Sequence, residues 1–562
     1  MMSIRHTLLM ILLAGAFCAA TPFLHEKGFT YYLQDGQAVI TGFPAADTII
    51  LPAALGGCPV RGCDTAYLRH KGIAVKSFTL EPACKAFALE HGILFSHDKK
   101  TLVKYPGASQ ERTCEIPDGV THIAPGAFMG ARHLVSVKLP ATLVSIGSEA
   151  FAYTGLAGLA FPESVTEIGE NAFAGTPLIA PALPPNLLRL ADGVFNNCTH
   201  MTTISGGSLL ETIGDGAFAN CTSLTTIKFA DSIRAIGKNA FRNCAALQTF
   251  NVAANIKEIG DNAFRGCQAM TAITVDTANT VFTSVDGVLF DRQQKILVAF
   301  PPNHAATSYT VPGAITSIAP GAFANCKRLT DVTLPQNLTS IGDNAFFDGP
   351  TVATWTLPAQ LETIGDNAFA QNKNLTGFTL PKSVKKLGRG VFSTCEGLKE
   401  LDISALPSEI VPASLCAGCT ALTTVRLPSQ TKVIASKAFY GCTSLAEMTL
   451  PEQLRIIEEA AFANCNALQR IQLPQTLNTI GDRAFASCTA LTEILLPGSL
   501  SNLGRQSFEN CSALVTVTFP RDLPVLQFGT FRNCTSLQTA VFPGKHPSEE
   551  PQVFENCPKF KR

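Results

Sequence analysis

Glu447, Arg470 and Glu493 follow one another at intervals of 23 residues. If each interval is one coil of a stacked fold, the two carboxylates lie two strand spacings apart, about 9.6 Å. That is near the roughly 6.5–9.5 Å between the acid and base of an inverting glycosidase. The intervening Arg470 argues against this chemistry, because it should pair with both carboxylates and lower their pKa values, whereas a general acid needs one raised. Opposite charges on adjacent strands are the ordinary stabilising ladder. A polysaccharide-acting solenoid enzyme is therefore only a remote alternative. Cys416-Ala-Gly-Cys419 has the spacing of a redox pair or zinc knuckle, but no second ligand pair or electropositive helix start accompanies it. The histidines form no His-x-x-x-His or His-x-Glu pattern, and no Gly-x-Ser-x-Gly elbow or phosphate-cradling loop occurs. The expectation is no catalytic residue, no metal and no cofactor.

What would position these residues is a repeat. Phenylalanines fall at 128, 151, 173, 195, 218, 241 and 264, then at 323, 346, 369 and 392, then at 439, 462, 485, 508, 531 and 554, with Leu415 standing in once. A period of 22 to 24 residues means stacked coils, each too small to bury its own apolar face and covered by its neighbours. One unit reads Cys442-Thr-Ser-Leu445-Ala-Glu-Met448-Thr-Leu450-Pro451, then Leu454, Ile457 and Ala461-Phe462. Leu445, Met448 and Leu450 mark a short strand that Pro451 ends, since proline gives no N–H to a ladder. A second extended piece leads to Ile-Gly-Asp-x-Ala-Phe, as at Ile213 to Phe218, where Asp can cap a helical turn and Gly suits a tight bend. Glu458 and Gln527 show that this glycine is not obligatory. The phenylalanines should point inward and stack as a spine.

The recurring Leu-x-x-Ile-x-Leu-Pro, Leu-x-x-Ile-Gly and Ala-Phe-x-x-Cys-x-x-Leu resemble the BspA-like leucine-rich repeat family of bacterial surface proteins, over roughly the last four-fifths of the chain. The resemblance implies a right-handed leucine-rich-repeat superhelix of short parallel β-strands and short helical turns. It also implies a surface or secreted protein that adheres to host components or other cells.

Gly92-Ile-Leu-Phe95 through Tyr105-Pro106 is mirrored by Gly287-Val-Leu-Phe290 through Phe300-Pro301, each glycine lying 36 residues before its next Ala-Phe phenylalanine. Asp98-Lys-Lys and Asp291-Arg-Gln-Gln supply polar turns between apolar runs, so each copy is a longer, hairpin-bearing coil. Phe29 to Gly42 reads as a hairpin about Asp35-Gly36 that covers the apolar end of the stack. The expected organisation is a signal peptide over 1–20, a β cap over 21–86, a first repeat block over 87–264, a long coil over 265–322 and a second block over 323–562.

Formal net charge is zero and only 15% of residues are charged, which removes bulk attraction to nucleic acid or anionic lipid. Arg5, the apolar run Leu8 to Leu13 and the small residues up to Ala20 have the form of a secretory signal. Lipid attachment at Cys18 is the alternative, disfavoured by the bulky Phe17 before it. After this segment no apolar stretch reaches the roughly 20 residues of a membrane span.

Nineteen cysteines in an exported chain would ordinarily imply disulfides. Those at 198, 221, 244, 267, 326, 395, 419, 442, 465, 488, 511, 534 and 557 are locked to the repeat, where their parallel Cβ vectors favour buried thiols. Cys58 and Cys63, outside that phase, are the expected bonded pair.

Strand alternation sends a row of Thr and charged residues outward. Lys138, Lys228, Thr424, Arg426, Glu447 and Arg470 are the candidate partner-binding residues on what should be a concave face suited to extended protein or glycan. The expected function is non-enzymatic binding of an extracellular protein or glycan. An envelope scaffold with a periplasmic partner is the alternative.

Overall fold

The computed structural model describes residues 23–68 and 74–561. The segment assigned to the signal peptide, Cys18 included, lies outside them. Two compact units divide the chain, one running to residue 198 and including 205–209, the other holding 199–204 and everything from 210 onward.

Each coil contributes two short strands, and each kind of strand pairs with its like in the next coil. In the first unit Thr113–Glu115 pairs parallel with Ser136–Lys138. Separately, Thr101–Lys104, His122–Ile123, Ser145–Ile146 and Glu167–Ile168 form a parallel run. In the second unit Gly377–Thr379, Glu400–Asp402 and Thr424–Arg426 stack in register, as do the Leu-x-x-Ile strands from Ser317–Ile318 to Lys386–Leu387. The strands are short because every coil turns its inner apolar residues to one core and must then bend; where the strand is Glu-Leu-Asp or Glu-Ile-Leu, only the middle side chain is buried. The fold is a β-solenoid.

The Ile-Gly-Asp-x-Ala-Phe segments are hydrogen-bonded turns, and the one helix among the described residues is Thr65–Leu68. This corrects the expected helical turns. The aspartate does not cap its own coil. Asp343 Oδ1 accepts the Asp366 N–H at 2.8 Å and Asp366 Oδ1 accepts the Arg389 N–H at 2.8 Å, so each carboxylate ties its coil to the next. The turn needs a left-handed residue on each side of Ala-Phe, filled by Asn367 (φ 53°) and Gln371 (φ 63°) in one coil and by Asn239 and Asn243 in another. Asn and Gly tolerate that conformation best, which explains their abundance there. At the Ile-Gly step the reason for glycine is different. A Cβ on Gly388 would come within 2.4 Å of the Gly365 carbonyl carbon, backbone against backbone.

The phenylalanine rings form the expected spine. Phe128 and Phe151 stack at 4.8 Å, Phe151 and Phe173 at 5.4 Å, Phe218 and Phe241 at 5.4 Å, and the run from Phe439 to Phe554 continues at similar spacing. Leu415 fills its place in the spine fully buried. Two rings fall outside the Ala-Phe series read from the sequence. Phe300 stacks 5.2 Å from Phe323, and Tyr105 stacks 5.0 Å from Phe128. Each long coil therefore supplies a spine ring through the end of its hairpin. Burying an aromatic or aliphatic side chain of this size stabilises by about 1.5–3 kcal/mol.

The described cysteines are thiols rather than disulfides. In the repeat, each S–H is aimed at the carbonyl of the preceding coil's spine residue: Cys244 at Phe218 O (3.2 Å), Cys326 at Phe300 O (3.5 Å), Cys488 at Phe462 O (3.2 Å) and Cys557 at Phe531 O (3.1 Å). Where the cysteine is missing, Asn372 makes the same bond to Phe346 O at 2.8 Å. The ladder's requirement is thus a short buried donor. Burial pushes the Cys267, Cys465 and Cys511 thiols up to about 12.

In the cap, Phe29–Gln34 and Gln37–Gly42 form the antiparallel hairpin about Asp35-Gly36. The expected Cys58 to Cys63 disulfide is not formed. The two residues are the ends of one strand, Cys58–Cys63, and five extended residues separate them by about 16 Å. A disulfide requires Cα atoms within about 7 Å.

Candidate binding surface

All six candidate residues lie on short strands with their side chains exposed, but the strands do not gather them into one site. Lys138, on Ser136–Lys138 of the first unit, is ion-paired with Glu115 of the neighbouring strand. Lys228 stands on Thr226–Phe229. Thr424 and Arg426 share Thr424–Arg426, and Arg426 reaches the Asp402 carboxylate of the strand before it at 3.6 Å. Burial works against that carboxylate, yet hydrogen bonds from Ser404 and the nearby guanidinium together hold its pKa below the usual range.

Glu447 and Arg470 are register partners on adjacent strands. The expected ion pairs from Arg470 to Glu447 and Glu493 are not among those formed by the described residues. All three side chains are exposed, so water screens them and each can keep its own rotamer freedom, the usual fate of surface charges. The case against a glycosidase pair therefore does not rest on Arg470. It rests on exposure, which supplies no burial to raise the pKa of a general acid. Cys416 and Cys419 are both fully buried, and Cys419 donates to Phe392 O at 3.0 Å as a rung of the ladder. Among the described residues no group of three or more His, Cys, Asp or Glu side chains is placed to hold a metal. No helix among them is long and apolar enough to cross a membrane.

One group of projecting residues does converge. Thr354, Thr379, Glu400, Asp402, Thr424 and Arg426 surround a depression of about 280 Å³ with Gly377 in its floor. Gly377 stands in the row occupied by Glu400 and Thr424 in the next two coils. A Cβ there would meet only Glu400 O, at 4.0 Å, so the missing side chain leaves a gap in an otherwise continuous row. The sequence pattern placed Glu400, Asp402, Thr424 and Arg426 on this face. It did not single out the glycine between them, whose signal was its place at a projecting position.

Two parallel strand ladders over a phenylalanine spine, with a donor rung at each coil, define a leucine-rich repeat protein. The BspA type leucine rich repeat region matches residues 108–210, 189–296, 298–413, 408–538 and 466–562, and the chain belongs to that family. Solved structures similar to it include a leucine-rich repeat protein from Eubacterium ventriosum (20% identity, 84% of this chain and 95% of that one, TM-score 0.36). Others are a leucine rich cell surface protein from Faecalibacterium prausnitzii (21%, 81% and 95%, TM-score 0.39) and a pneumococcal vaccine antigen (19%, 78% and 93%, TM-score 0.38). No curated protein matches the chain.

Proposed function

We propose that this chain is a non-enzymatic, exported repeat protein that binds an extracellular protein or glycan through its projecting strand face. The observation that carries the reading is the row of exposed Thr and charged side chains held in register on successive strands, broken at Gly377 by a depression rimmed with Glu400, Asp402, Thr424 and Arg426. A rigid scaffold that presents adaptable polar groups at fixed spacing suits an extended partner. Families of this type are typically surface-associated, and the signal-like segment at 1–20 supports export.

Replacing Thr424, Arg426, Glu447 and Arg470 together by alanine should weaken attachment to the partner while leaving Tm nearly unchanged, because exposed substitutions cost about 0.5 kcal/mol or less each. Unchanged attachment would remove this face from the reading. Protease treatment of intact cells separates it from an envelope scaffold, since only a surface protein is cleaved. Glycan hydrolysis abolished by Glu447→Gln would replace binding with catalysis.

A further inference from the structure

The two long coils correspond residue for residue at an offset of 195, with Phe95, Pro106 and Phe128 matched by Phe290, Pro301 and Phe323. Their backbones agree. Tyr105 N–H donates to Ala127 O at 2.9 Å and Phe300 N–H to Ala322 O at 2.8 Å, while Ala108 N–H reaches Val75 O as Asn303 N–H reaches Met270 O. Their side chains differ at the spine's edge. In the second coil His304 and Tyr309 pack against Phe300 with ring centroids 5.0 and 4.8 Å away, and His304 Nε2 meets Asp286 O at 2.9 Å. The hairpin tip is seated too, Ile273 N–H donating to Gly287 O at 2.8 Å.

In the first coil the equivalents of His304 and Tyr309 are Ser109 and Cys114. A Cβ on Gly92, at the hairpin tip, would meet nothing within 4 Å, whereas one on Gly287 would lie 2.9 Å from Ala272. The space the aromatic rings occupy in one coil is in the other a depression of about 540 Å³, lined by His91, Tyr105, Ser109, Glu111, Thr113 and Cys114 among others. Tyr105 is only 4% exposed, and its hydroxyl, at the wall of the depression, is buried with no partner in hydrogen-bond geometry. Burial raises its pKa against the pull of Ser109 beside it, so the phenol stays protonated and able to donate.

We propose that this depression binds a sugar residue, with the Tyr105 hydroxyl at its base and Ser109, Glu111, Thr113 and His91 at its rim. The proposal deepens the binding function above, on which it rests, by naming a ligand for the first unit. The lining mixes pure acceptors, the carboxylates, with hydroxyls and an imidazole that donate and accept, the complement that a sugar's hydroxyls need. An anionic ligand would be repelled by Glu111 and Glu115. An apolar one would leave a buried phenol unpaired, at a cost. A basic side chain would find Glu115 already held by Lys138.

The test is saturation-transfer NMR on the whole chain with glucose, galactose, mannose and N-acetylglucosamine as probes. At least one should receive transfer. Ser109→His combined with Cys114→Tyr, which copies residues that the same backbone accepts in the second coil, should abolish it with the circular dichroism spectrum unchanged. Glu111→Gln, an exposed change that spares the core, should weaken affinity about tenfold or more, the usual loss with a charged hydrogen-bond acceptor. The Thr424, Arg426, Glu447 and Arg470 variant should keep the signal, so failure at this pocket is read apart from failure of the strand face. Absence of transfer from every probe, transfer that survives both pocket changes, or capture of a lysine-rich peptide lost in those variants would each overturn the proposal.

Discussion

The two long coils share a backbone and differ in what fills it, and the difference shows how a repeat fold acquires a site. The second coil, within its own repeat array, is closed by Phe300, His304 and Tyr309 and by a seated hairpin tip. The first, beside the cap, keeps its spine ring as Tyr105, replaces the other two aromatics by Ser109 and Cys114, and leaves a hollow. It also exchanges Ala299 for Lys104, whose Nζ donates to Gly126 O at 2.7 Å while the side chain is 1% exposed. In the second coil the neighbouring turn is met by an ordinary coil, Asn262 N–H bonding to Pro320 O at 3.2 Å. A buried ammonium thus serves the carbonyl end of the turn stack where the cap offers no equivalent coil. Closing a coil with rings favours stability, and opening it with small polar residues leaves room for a ligand.

The largest expected effect comes from breaking the closed coil. Phe300→Ala should cost about 3–5 kcal/mol, as for other buried phenylalanines. The only tryptophan of the chain, Trp355, lies in the second unit against Phe346 at 4.6 Å, so its fluorescence reports that unit's unfolding in denaturant. Phe300→Ala should shift this transition, and Tyr105→Ala should leave it in place. Equal shifts would mean that the two coils are not independent packing problems.

The Lys104 exchange predicts a pH dependence that the second coil lacks. Burial lowers this lysine to about 8 from its ordinary 10.5. Below pH 8 the folded state carries a disfavoured buried charge. Between about 8 and 10.5 the unfolded chain holds more protons than the folded one, so this group's contribution to stability rises with pH through that window. At about 1.4 kcal/mol per pKa unit, full relief amounts to roughly 3 kcal/mol. The buried thiols and phenols titrate with the opposite sign, so the measurement is the difference between wild type and Lys104→Met. That difference should fall by about this amount in the variant's disfavour from pH 7.5 to 10.5, and a flat difference would show that the ammonium is not stabilised in its neutral form.

The smallest effect sharpens the comparison directly. Tyr309→Cys gives the second coil the residue of the first and should cost about 2 kcal/mol, less than losing Phe300, because the ring is half-buried at the edge of the spine. Loss of 4 kcal/mol or more by thermal or chemical denaturation would place Tyr309 in the core proper and weaken the equivalence with Cys114.

Periodicity made much of this legible. The spine from Phe128 onward, the alternating strands and the donor role of the repeat-phase cysteines all follow from residues that recur at one phase, because each coil solves the same packing problem. What repetition hides is departure from phase. Phe300 lies 23 residues before Phe323, as Tyr105 lies 23 before Phe128, yet both belong to apolar hairpin runs whose own pattern masks the spine. The Cys58 to Cys63 bond was expected from composition, whereas a continuous strand between the residues forbids it. Arg470 was expected to bind two carboxylates because register brings them near, but register does not set the conformation of exposed side chains. The hollow at Ser109 and Cys114 becomes visible only when the two long coils are aligned beyond Pro106 and their differences, rather than their shared glycines, are followed.

The thiol ladder has a kinetic consequence. Once its coil has docked, each sulfur is hydrogen-bonded, buried and held in the protonated form, which is neither nucleophile nor oxidisable thiolate. Before docking it is an ordinary cysteine, one among thirteen spaced almost evenly along the chain. Maturation in an oxidising compartment is then a race, coil by coil, between local stacking and disulfide formation that takes seconds to hours. Contacts confined to neighbouring coils favour the stacking side, since little of the chain must be assembled before the next rung closes. A coil that docks slowly is where cross-linked, misfolded molecules would originate, so a mutation far from any binding surface can lower yield without altering the finished protein.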